Sequence, residues 1–299
     1  MGFVTFYSDA VAEFAGKAGF DCMECFIDRG GELDLDKMTP QKLDSIMKHL
    51  EKNNVKFGSL SSSINLLATA PDERKANVDY YIKGIRMCRD FGTDVMMTNA
   101  GSDRSKTPEQ NLEEYKKVYS VIAEEAEKNN IKIALENCPH WGGYPTYLGN
   151  IGYSPEMFAY MFEAVPSKSI GLEYDPSHLF WLGIDYIGML REFSDRIYAM
   201  HAKDTEILEE NLKRYGIIGR QVYSRGEDQN NWWRYRLPGF GQIDFAKIMQ
   251  VLTEIRYKGN IIIEHEDPVF GGTRSEDGME INMMEEGLKI GLKNLKKLM

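Results

Sequence analysis

Eight short β-rich segments alternate with amphipathic helical segments along the chain, and this repeat constrains the fold more than any other feature of the sequence. Strands that alternate with helices predict a parallel sheet, because each helix returns the chain to the same edge of the sheet. Eight strand–helix pairs in 299 residues predict that the sheet closes into a barrel. We therefore predict an α/β protein with a single (β/α)8 barrel domain over residues 1–299.

The limits of the predicted elements follow from turn residues and helix caps. Proline occupies the first helical position after Thr39, Thr107 and Ser154, each of which is a favourable N-cap residue. The predicted strands cover residues 2–7, 21–27, 55–60, 93–99, 131–136, 169–175, 197–201 and 260–264. The predicted helices cover residues 10–18, 40–53, 71–91, 108–130, 155–164, 185–193, 243–255 and 284–298.

The alternative to a closed barrel is an open, doubly wound parallel sheet. Such a sheet usually carries a glycine-rich turn after its first strand, where a dinucleotide phosphate binds. Here the corresponding turn reads Ser8-Asp9-Ala10, which lacks that glycine pattern. The sequence therefore favours the barrel over the open sheet.

Two connections are too long to be simple links between a strand and a helix. Residues 138–153 follow the fifth predicted strand, and residues 205–242 follow the seventh. Both are rich in aromatic residues, and the second contains the segment NWWRYR at 231–236. In a barrel both loops would rise from the C-terminal face, where the active sites of this fold lie.

Composition and charge exclude several classes of function. Acidic residues outnumber basic ones by 46 to 36, and the resulting net charge of −10 repels a nucleic-acid backbone. No run approaches the 18 apolar residues of a membrane span, and the N-terminus lacks the features of a signal peptide. The Cys22–Cys25 pair has no second pair with which to bind zinc, so we predict buried thiols. We expect a cytoplasmic protein that acts on a small molecule.

The last four predicted strands all end in residue types that bind metals. These residues are Glu136, Asp175, His201 and Glu264. Taken singly, each is more simply a solvated strand end, an ion-pair member or a hydrogen-bonded core histidine. Because parallel barrel strands end at one mouth, however, the four side chains are expected to converge. Three carboxylates and one imidazole suit one divalent cation, with Mn²⁺ as our first choice and Co²⁺, Mg²⁺ or Zn²⁺ as alternatives.

Five motifs in the C-terminal half give the chain a resemblance to a known family. They are ALEN at 134–137, DPSH at 175–178, HAKD at 201–204, PGFGQIDF at 238–245 and IEHED at 263–267. In this order they resemble the xylose isomerase-like TIM-barrel superfamily, often called sugar phosphate isomerase/epimerase. That group includes ketose 3-epimerases and inosose dehydratases. The first three strands match it only in outline.

The resemblance implies roles for individual residues. It implies that Glu136, Asp175, His201 and Glu264 bind one divalent metal and that His178 contacts substrate oxygens. In the epimerase branch, the residues that match Glu136 and Glu264 also move protons on opposite sides of the substrate. The chain departs from that branch after His201, because Lys203 and Asp204 stand where those enzymes have a nearby arginine. We therefore predict substrate contacts from Lys203 and, in the long insertion, from Arg236, with Arg234 as its alternative.

The expected function is a metal-dependent sugar isomerase or epimerase that moves a proton next to a carbonyl through a metal-stabilised enediolate. The competing reaction is elimination. It would make the protein a dehydratase of a keto-inositol or a lyase of a 3-keto-glycoside, including a C-glycoside. A non-catalytic sugar-binding barrel is the third possibility.

The DNA-repair branch of the superfamily needs more histidines at strand ends than this chain offers. The expected partner is a small sugar, with a homo-oligomer or a partner subunit also open.

The remaining candidate site residues each have a structural explanation as well as a functional one. Trp141 and Trp232 are predicted either to stack on a sugar or to pack within their own loops. His140 is predicted to contact substrate or to hydrogen-bond within its loop. Asn99 and Asn65 follow strands and either bind hydroxyl groups or cap turns. Glu173 and Glu266 each lie two residues from a metal-ligand candidate on the same face, so they are expected either to support a ligand or to be buried ion-pair partners. His49 and His265 are expected to face away from the site.

Overall fold

A computed structural model describes residues 1–142, 147–217, 232–276 and 279–299. Eight parallel strands form one closed barrel in the order β1-β8-β7-β6-β5-β4-β3-β2. The strands are β1 Gly2–Thr5, β2 Cys22–Phe26, β3 Lys56–Ser62, β4 Val95–Thr98, β5 Lys132–Glu136, β6 Ile170–Tyr174, β7 Ile197–Ala202 and β8 Ile261–Ile263. Strand β1 pairs with both β2 and β8, which closes the sheet. The predicted barrel is confirmed, and the open doubly wound sheet is excluded.

Helices connect successive strands around the outside of the barrel. They are α1 Asp9–Ala18, α2 Pro40–Lys52, α3 Pro71–Met87, α4 Pro108–Asn129, α5 Pro155–Ala164, α6 Pro176–Leu182, α7 Tyr186–Glu192, α8 Glu209–Tyr215, α9 Phe245–Glu254 and α10 Met283–Lys296. The side chains of Thr39, Thr107 and Ser154 accept hydrogen bonds from the first turns of α2, α4 and α5, as the sequence predicts. The short helices α6 and α8 were not predicted.

Helix α3 ends four residues before its predicted limit at residue 91. Its last residue is Met87, and the chain then turns so that Phe91 enters the core. The Phe91 ring packs edge-on against Phe57 of β3, with 5.6 Å between the ring centroids. Burial of this ring outweighs the helical periodicity, because a buried phenylalanine contributes about 1.5–3 kcal/mol.

The insertion after β7 begins as an antiparallel β-hairpin, which we call the β7 hairpin. Its strands are Asp204–Ile207 and Trp233–Arg236, and residues 218–231 of the predicted insertion lie outside the described residues. Asp204 is buried and accepts backbone hydrogen bonds from Gly239, Gly241 and Ile243. A Cβ atom at Gly241 would lie 2.3 Å from Asp204 Oδ1, so this close approach requires glycine. The carboxylate thereby fixes the turn that leads into α9.

Two further antiparallel pairs lie in loops, at Trp141–Gly142 with Tyr147–Leu148 and at Thr273–Glu276 with Met279–Asn282. The first belongs to the long loop predicted after β5. All four cysteines are free, and Cys22, Cys25 and Cys88 are buried, which agrees with the prediction of plain thiols. Within the described residues, no helix has the length and apolar character needed to span a membrane.

Candidate metal centre and active site

Four side chains converge at the C-terminal end of strands β5 to β8, and we call them the upper cluster. They are Glu136, Asp175, His201 and Glu264, and one potential ligand atom from each lies within 4.8 Å of the others. The Nδ1 atom of His201 lies 3.1 Å from Glu136 Oε1 and 3.1 Å from Glu264 Oε2. Asp175 Oδ2 is 3.9 Å from the same nitrogen. The structure therefore brings together all four residues that the sequence singled out as metal ligands.

Hydrogen bonds to Ser177 and Asn137 hold Asp175 in place. Its Oδ1 atom accepts a hydrogen bond from the backbone N–H of Ser177 at 2.7 Å and so caps helix α6. Asn137 binds the Asp175 backbone twice, since its Oδ1 accepts from the Asp175 N–H and its Nδ2 donates to the Asp175 carbonyl. The remaining atom, Oδ2, is buried and accepts no hydrogen bond from the described residues, although Lys203 Nζ and His178 Nε2 each lie 3.3 Å from it. Three carboxylates and one imidazole that converge in this way form a donor set that fits a divalent cation.

The two glutamates of the upper cluster remain ionised at neutral pH. Burial raises the pKa of Glu136, but hydrogen bonds to His178 and His201 outweigh it and hold the pKa well below the usual range. Burial likewise raises the pKa of Glu264, but the charges of Lys203 and His201 lower it to about 2. Metal ligands must be deprotonated, so both carboxylates are in the form that binds a cation.

Lys203 is buried beside the upper cluster, and its predicted contact with substrate stays a prediction. Its Nζ atom is 2.5 Å from Glu264 Oε2, 3.0 Å from Glu266 Oε2 and 3.3 Å from Asp175 Oδ2. Burial lowers the pKa of Lys203, but the charges of Glu264, Glu266 and Asp175 raise it well above the usual value. The side chain is therefore an ammonium ion, and Glu266 supports it rather than the metal ligands directly.

His178 extends from α6 toward the upper cluster. Its Nε2 atom lies 3.6 Å from Glu136 Oε1, and its Nδ1 atom lies 2.9 Å from the hydroxyl of Tyr235. Tyr235 belongs to the β7 hairpin and was not predicted as a site residue. The alternation of the NWWRYR segment places Tyr235 and Trp233 on one face of the strand, and this pattern was the available signal. The ring of Trp233 packs 4.6 Å from that of Tyr235.

The loops after β4 and β5 supply a second group of contacts. Asn99 donates a hydrogen bond to Glu136 Oε2 at 3.2 Å, and His140 Nε2 lies 3.0 Å from Asn99 Oδ1. Asn65 instead accepts hydrogen bonds from the backbone of Leu67 and Ser102, so it stabilises turns, which was the structural alternative. The side chain of the predicted Trp141 lies outside the described residues.

Arg236 and Arg234 both form ion pairs within the protein. Arg236 Nε donates to Asp267 Oδ2 at 2.9 Å, and its Nη1 donates to Glu206 Oε2 at 2.6 Å. Arg234 Nε also donates to Glu206 Oε2, at 2.8 Å. The two pairs with Glu206 join the strands of the β7 hairpin, and the pair with Asp267 fastens the hairpin to the loop after β8. The substrate contact predicted for Arg236 would have to coexist with two ion pairs, and it stays a prediction.

A second group of ionisable residues lies on the other side of His201, and we call it the lower cluster. His201 Nε2 lies 3.1 Å from Glu173 Oε1 and 3.4 Å from Glu24 Oε1. Both glutamates are buried, and Ser59 donates a hydrogen bond to Glu24 Oε2 at 2.5 Å. Glu173 was predicted as a supporting residue, whereas Glu24 was missed. Its signal was a single charged residue within the otherwise uncharged strand CMECF.

The remaining histidines are placed as predicted. His265 contacts helix α10, where a Cβ atom at Gly287 would lie 2.3 Å from its Nε2. His49 lies on the outer helix α2 and hydrogen-bonds the backbone carbonyl of Asp9 at 3.1 Å. Trp232 packs near Trp181, with 6.3 Å between the ring centroids, and its indole donates to the Ile217 carbonyl.

Comparisons with known proteins agree with the barrel fold. Residues 12–297 match the family described as xylose isomerase-like TIM barrel. The uncharacterized protein YfiH of Bacillus subtilis (strain 168) is 27% identical over 287 residues, which cover 85% of this chain and 87% of YfiH. An inosose dehydratase of Geobacillus kaustophilus (strain HTA426) is 31% identical over 128 residues, 42% of this chain and 39% of that protein.

The fold also matches solved structures over its whole length. The 3-keto-D-glucoside 4-epimerase YcjR from E. coli superposes with a TM-score of 0.71 at 12% identity. The match covers 99% of this chain and 98% of YcjR. At this identity the likeness concerns the fold alone, whereas the sequence match over residues 12–297 extends through every barrel strand except β1. The chain therefore belongs to the xylose isomerase-like TIM-barrel family.

Proposed function

We propose that this protein is a divalent-metal-dependent isomerase or epimerase of a sugar or cyclitol, which moves a proton next to a carbonyl group. The observation that carries the proposal is the pair of ionised carboxylates, Glu136 and Glu264, each 3.1 Å from the same nitrogen of His201. The names of the matched inosose dehydratase and of the 3-keto-D-glucoside 4-epimerase support a carbohydrate substrate. Mn²⁺ is our proposed cation, because carboxylate and imidazole donors together suit a metal of intermediate hardness.

Glu136, Asp175, His201 and Glu264 are the proposed ligands. A divalent cation held there would stabilise the negative charge that develops on a carbonyl oxygen as the neighbouring proton leaves. Glu136 and Glu264 stand on β5 and β8, so their carboxylates approach the centre of the mouth from different directions. One carboxylate removes the proton, and the other, once it has taken a proton from solvent, delivers that proton to the opposite face of the substrate. His178 and the Lys203 ammonium supply donors to substrate oxygens beside these bases.

Solvent isotope exchange tests this proposal. The chelated protein is reloaded with Mn²⁺ and incubated in D₂O with free ketoses and with keto-inositols, and the products are analysed by NMR. We expect deuterium at the carbon next to the carbonyl and no exchange in Glu136→Gln or Glu264→Gln. Product that keeps the original hydrogen would contradict the proposal and indicate a hydride shift. Binding of Mn²⁺ and sugar without turnover would indicate the non-catalytic sugar-binding barrel.

An apolar cavity of about 500 Å³ favours a second candidate function, elimination from a 3-keto-glycoside. A cavity of this size accommodates a ring-sized group. Trp181 forms part of its wall and stacks on Trp233, with 4.6 Å between the ring centroids. The residues that line the cavity carry no charge and come from α6, α8 and the loops after β5 and β7: Leu148, Phe180, Trp181, Leu182, Gly183, Ile207, Leu212, Ile217 and Trp232.

The two candidate reactions are distinguished by the substrate. If the cavity holds an aglycone, a phenyl 3-keto-glucoside should release phenol, and Trp232→Ala should raise KM for this substrate more than for its methyl counterpart. An epimerase would return the phenyl glycoside intact with an inverted carbon. Equal KM changes for the phenyl and methyl substrates would show that the cavity does not bind the aglycone.

A further inference from the structure

The lower cluster has no place in proton transfer to a substrate, because His201 separates it from the mouth. It consists of Glu24 from β2 and Glu173 from β6, both fully buried. Nε2 of His201 is hydrogen-bonded to Glu24 Oε1 at 3.4 Å and lies 3.1 Å from Glu173 Oε1. A buried carboxylate is costly unless a charge or a donor compensates it.

Glu173 depends on His201 for that compensation. Its carboxyl oxygens accept no hydrogen bond from a described group, and burial and the charge of Glu24 raise its pKa well above the usual value. Nε2 of His201 lies 3.1 Å from Oε1 and is the N–H group within reach. Glu24 is held more firmly, because Ser59 donates to its other oxygen at 2.5 Å. Two acidic side chains from separate strands therefore face one ring nitrogen from below.

The position of the proton on the His201 ring decides whether Nδ1 can bind a metal. A neutral imidazole carries one N–H, and a metal needs the lone pair on the other nitrogen. If the proton were on Nδ1, it would be donated to Glu136 or Glu264, each 3.1 Å away, and the ring would be unable to bind a cation there. A carboxylate that accepts from Nε2–H favours the opposite tautomer.

We propose that Glu24 and Glu173 are positioning residues that keep the proton of His201 on Nε2, so that Nδ1 presents its lone pair to the upper cluster. This inference rests on the proposed role of His201 as a metal ligand. It assigns a function to the early strand β2, which contributes no side chain to the upper cluster. Ser59 has a supporting role, since it orients the Glu24 carboxylate.

The test compares variants that remove the acceptor with variants that keep it. Glu173→Leu and Glu24→Leu remove the acceptor at similar volume, whereas Glu173→Gln and Glu24→Gln keep an amide oxygen. Asp34→Asn is the matched control, because Asp34 is also a buried acid in the early half of the barrel but accepts from the backbone of Gly30. The probe is Mn²⁺ alone, with its dissociation constant measured by competition against a chelator.

Loss of a supporting carboxylate behind a metal-bound histidine typically weakens metal binding about 10- to 100-fold. We expect that loss in each Leu variant, a smaller loss in the Gln variants and none in Asp34→Asn. Ser59→Ala, which leaves both carboxylates in place, should weaken Mn²⁺ binding least among the lower-cluster variants. If a Leu variant fails to fold, the Ser59→Ala variant still tests the inference.

A spectroscopic readout separates positioning from general destabilisation. The chain has five histidines, so ¹⁵N-labelled imidazole resonances of the metal-free protein can be assigned. Burial lowers the pKa of His201, but the charges of Glu173 and Glu264 raise it well above the usual value, so the spectra are recorded at a pH high enough to leave the ring neutral. The wild type should show His201 protonated on Nε2, and the Leu variants should show the proton on Nδ1. The same tautomer in wild type and folded Leu variants, or an unchanged dissociation constant for Mn²⁺, would overturn the inference. A wild type that binds no Mn²⁺ would overturn the proposed function instead, and the tautomer comparison would still decide the inference.

Discussion

The early and late halves of the barrel share one scaffold but differ in what they present at the mouth. Strands β1 to β4 end in Thr5, Phe26, Ser62 and Thr98, which carry no charge. The late half presents Glu136 at the end of β5, His201 within β7, and Asp175 and Glu264 directly after β6 and β8. All eight strands therefore contribute to closure of the sheet, whereas the four proposed metal ligands are confined to one arc of strands. The early half contributes mainly packing, together with Glu24 beneath the arc.

The largest effect is expected from Asp175→Ala in the late half. Removal of one of four proposed ligands should strip the metal and lower kcat/KM by at least about 10³-fold, because metal stabilisation of developing charge contributes several kcal/mol. Metal content by mass spectrometry and turnover are the measurements.

Asp185→Ala is the matched control for this substitution, since Asp185 caps helix α7 just as Asp175 caps α6. The control should lose a helix cap, at a cost of about 1 kcal/mol of stability, and keep its metal. An Asp175→Ala protein with full metal content would refute the ligand assignment.

Phe57→Ala tests whether the early half acts through packing. Phe57 is buried on β3 against Phe91 and Tyr7. Its truncation should lower the unfolding free energy by about 3–5 kcal/mol, as measured by urea denaturation, while the folded variant still binds metal stoichiometrically. Phe57→Leu should cost less. Loss of metal from folded Phe57→Ala would show that the two halves are not separable in this way.

Arg236→Ala tests the role of the ion pair that joins the β7 hairpin to the loop after β8. If Arg236 contacts substrate, loss of a charged donor costs about 1.5–3 kcal/mol, which is roughly 10- to 150-fold in kcat/KM. If it braces the β7 hairpin, then Asp267→Ala, which removes its partner, should reproduce the same defect. A defect confined to Arg236→Ala would support the substrate contact, and equal defects would support the brace.

The smallest effect concerns Asp103, in the loop after β4. Burial raises the pKa of Asp103, but hydrogen bonds from Ser105 and Thr69 lower it to about 2. Because the pKa is lower in the folded state, the stabilisation is present above about pH 4 and is lost as the pH falls toward 2. Asp103→Asn should cost about 1–2 kcal/mol at pH 5 and progressively less at lower pH, measured by urea denaturation. A pH-independent difference would contradict this explanation.

The sequence predicted the barrel and the upper cluster because both follow from local patterns. Strand limits agree within two residues, and a residue at the end of a parallel strand must lie at the mouth. Glu24 was missed because one acidic residue in a strand does not reveal which side of the barrel it faces. Tyr235 and the ion pairs of Arg236 depend on the pairing of two distant segments in the β7 hairpin, which no local pattern encodes.

Anomalous X-ray diffraction from crystals soaked in Mn²⁺ tests the proposed metal centre independently of activity, because it locates the metal itself. We expect one strong anomalous peak per chain, at a Mn²⁺ ion bound by Glu136, Asp175, Glu264 and Nδ1 of His201, with Nε2 facing Glu24 and Glu173. A peak on the Nε2 side of His201, or crystals of the soaked protein with no peak at the upper cluster, would contradict it.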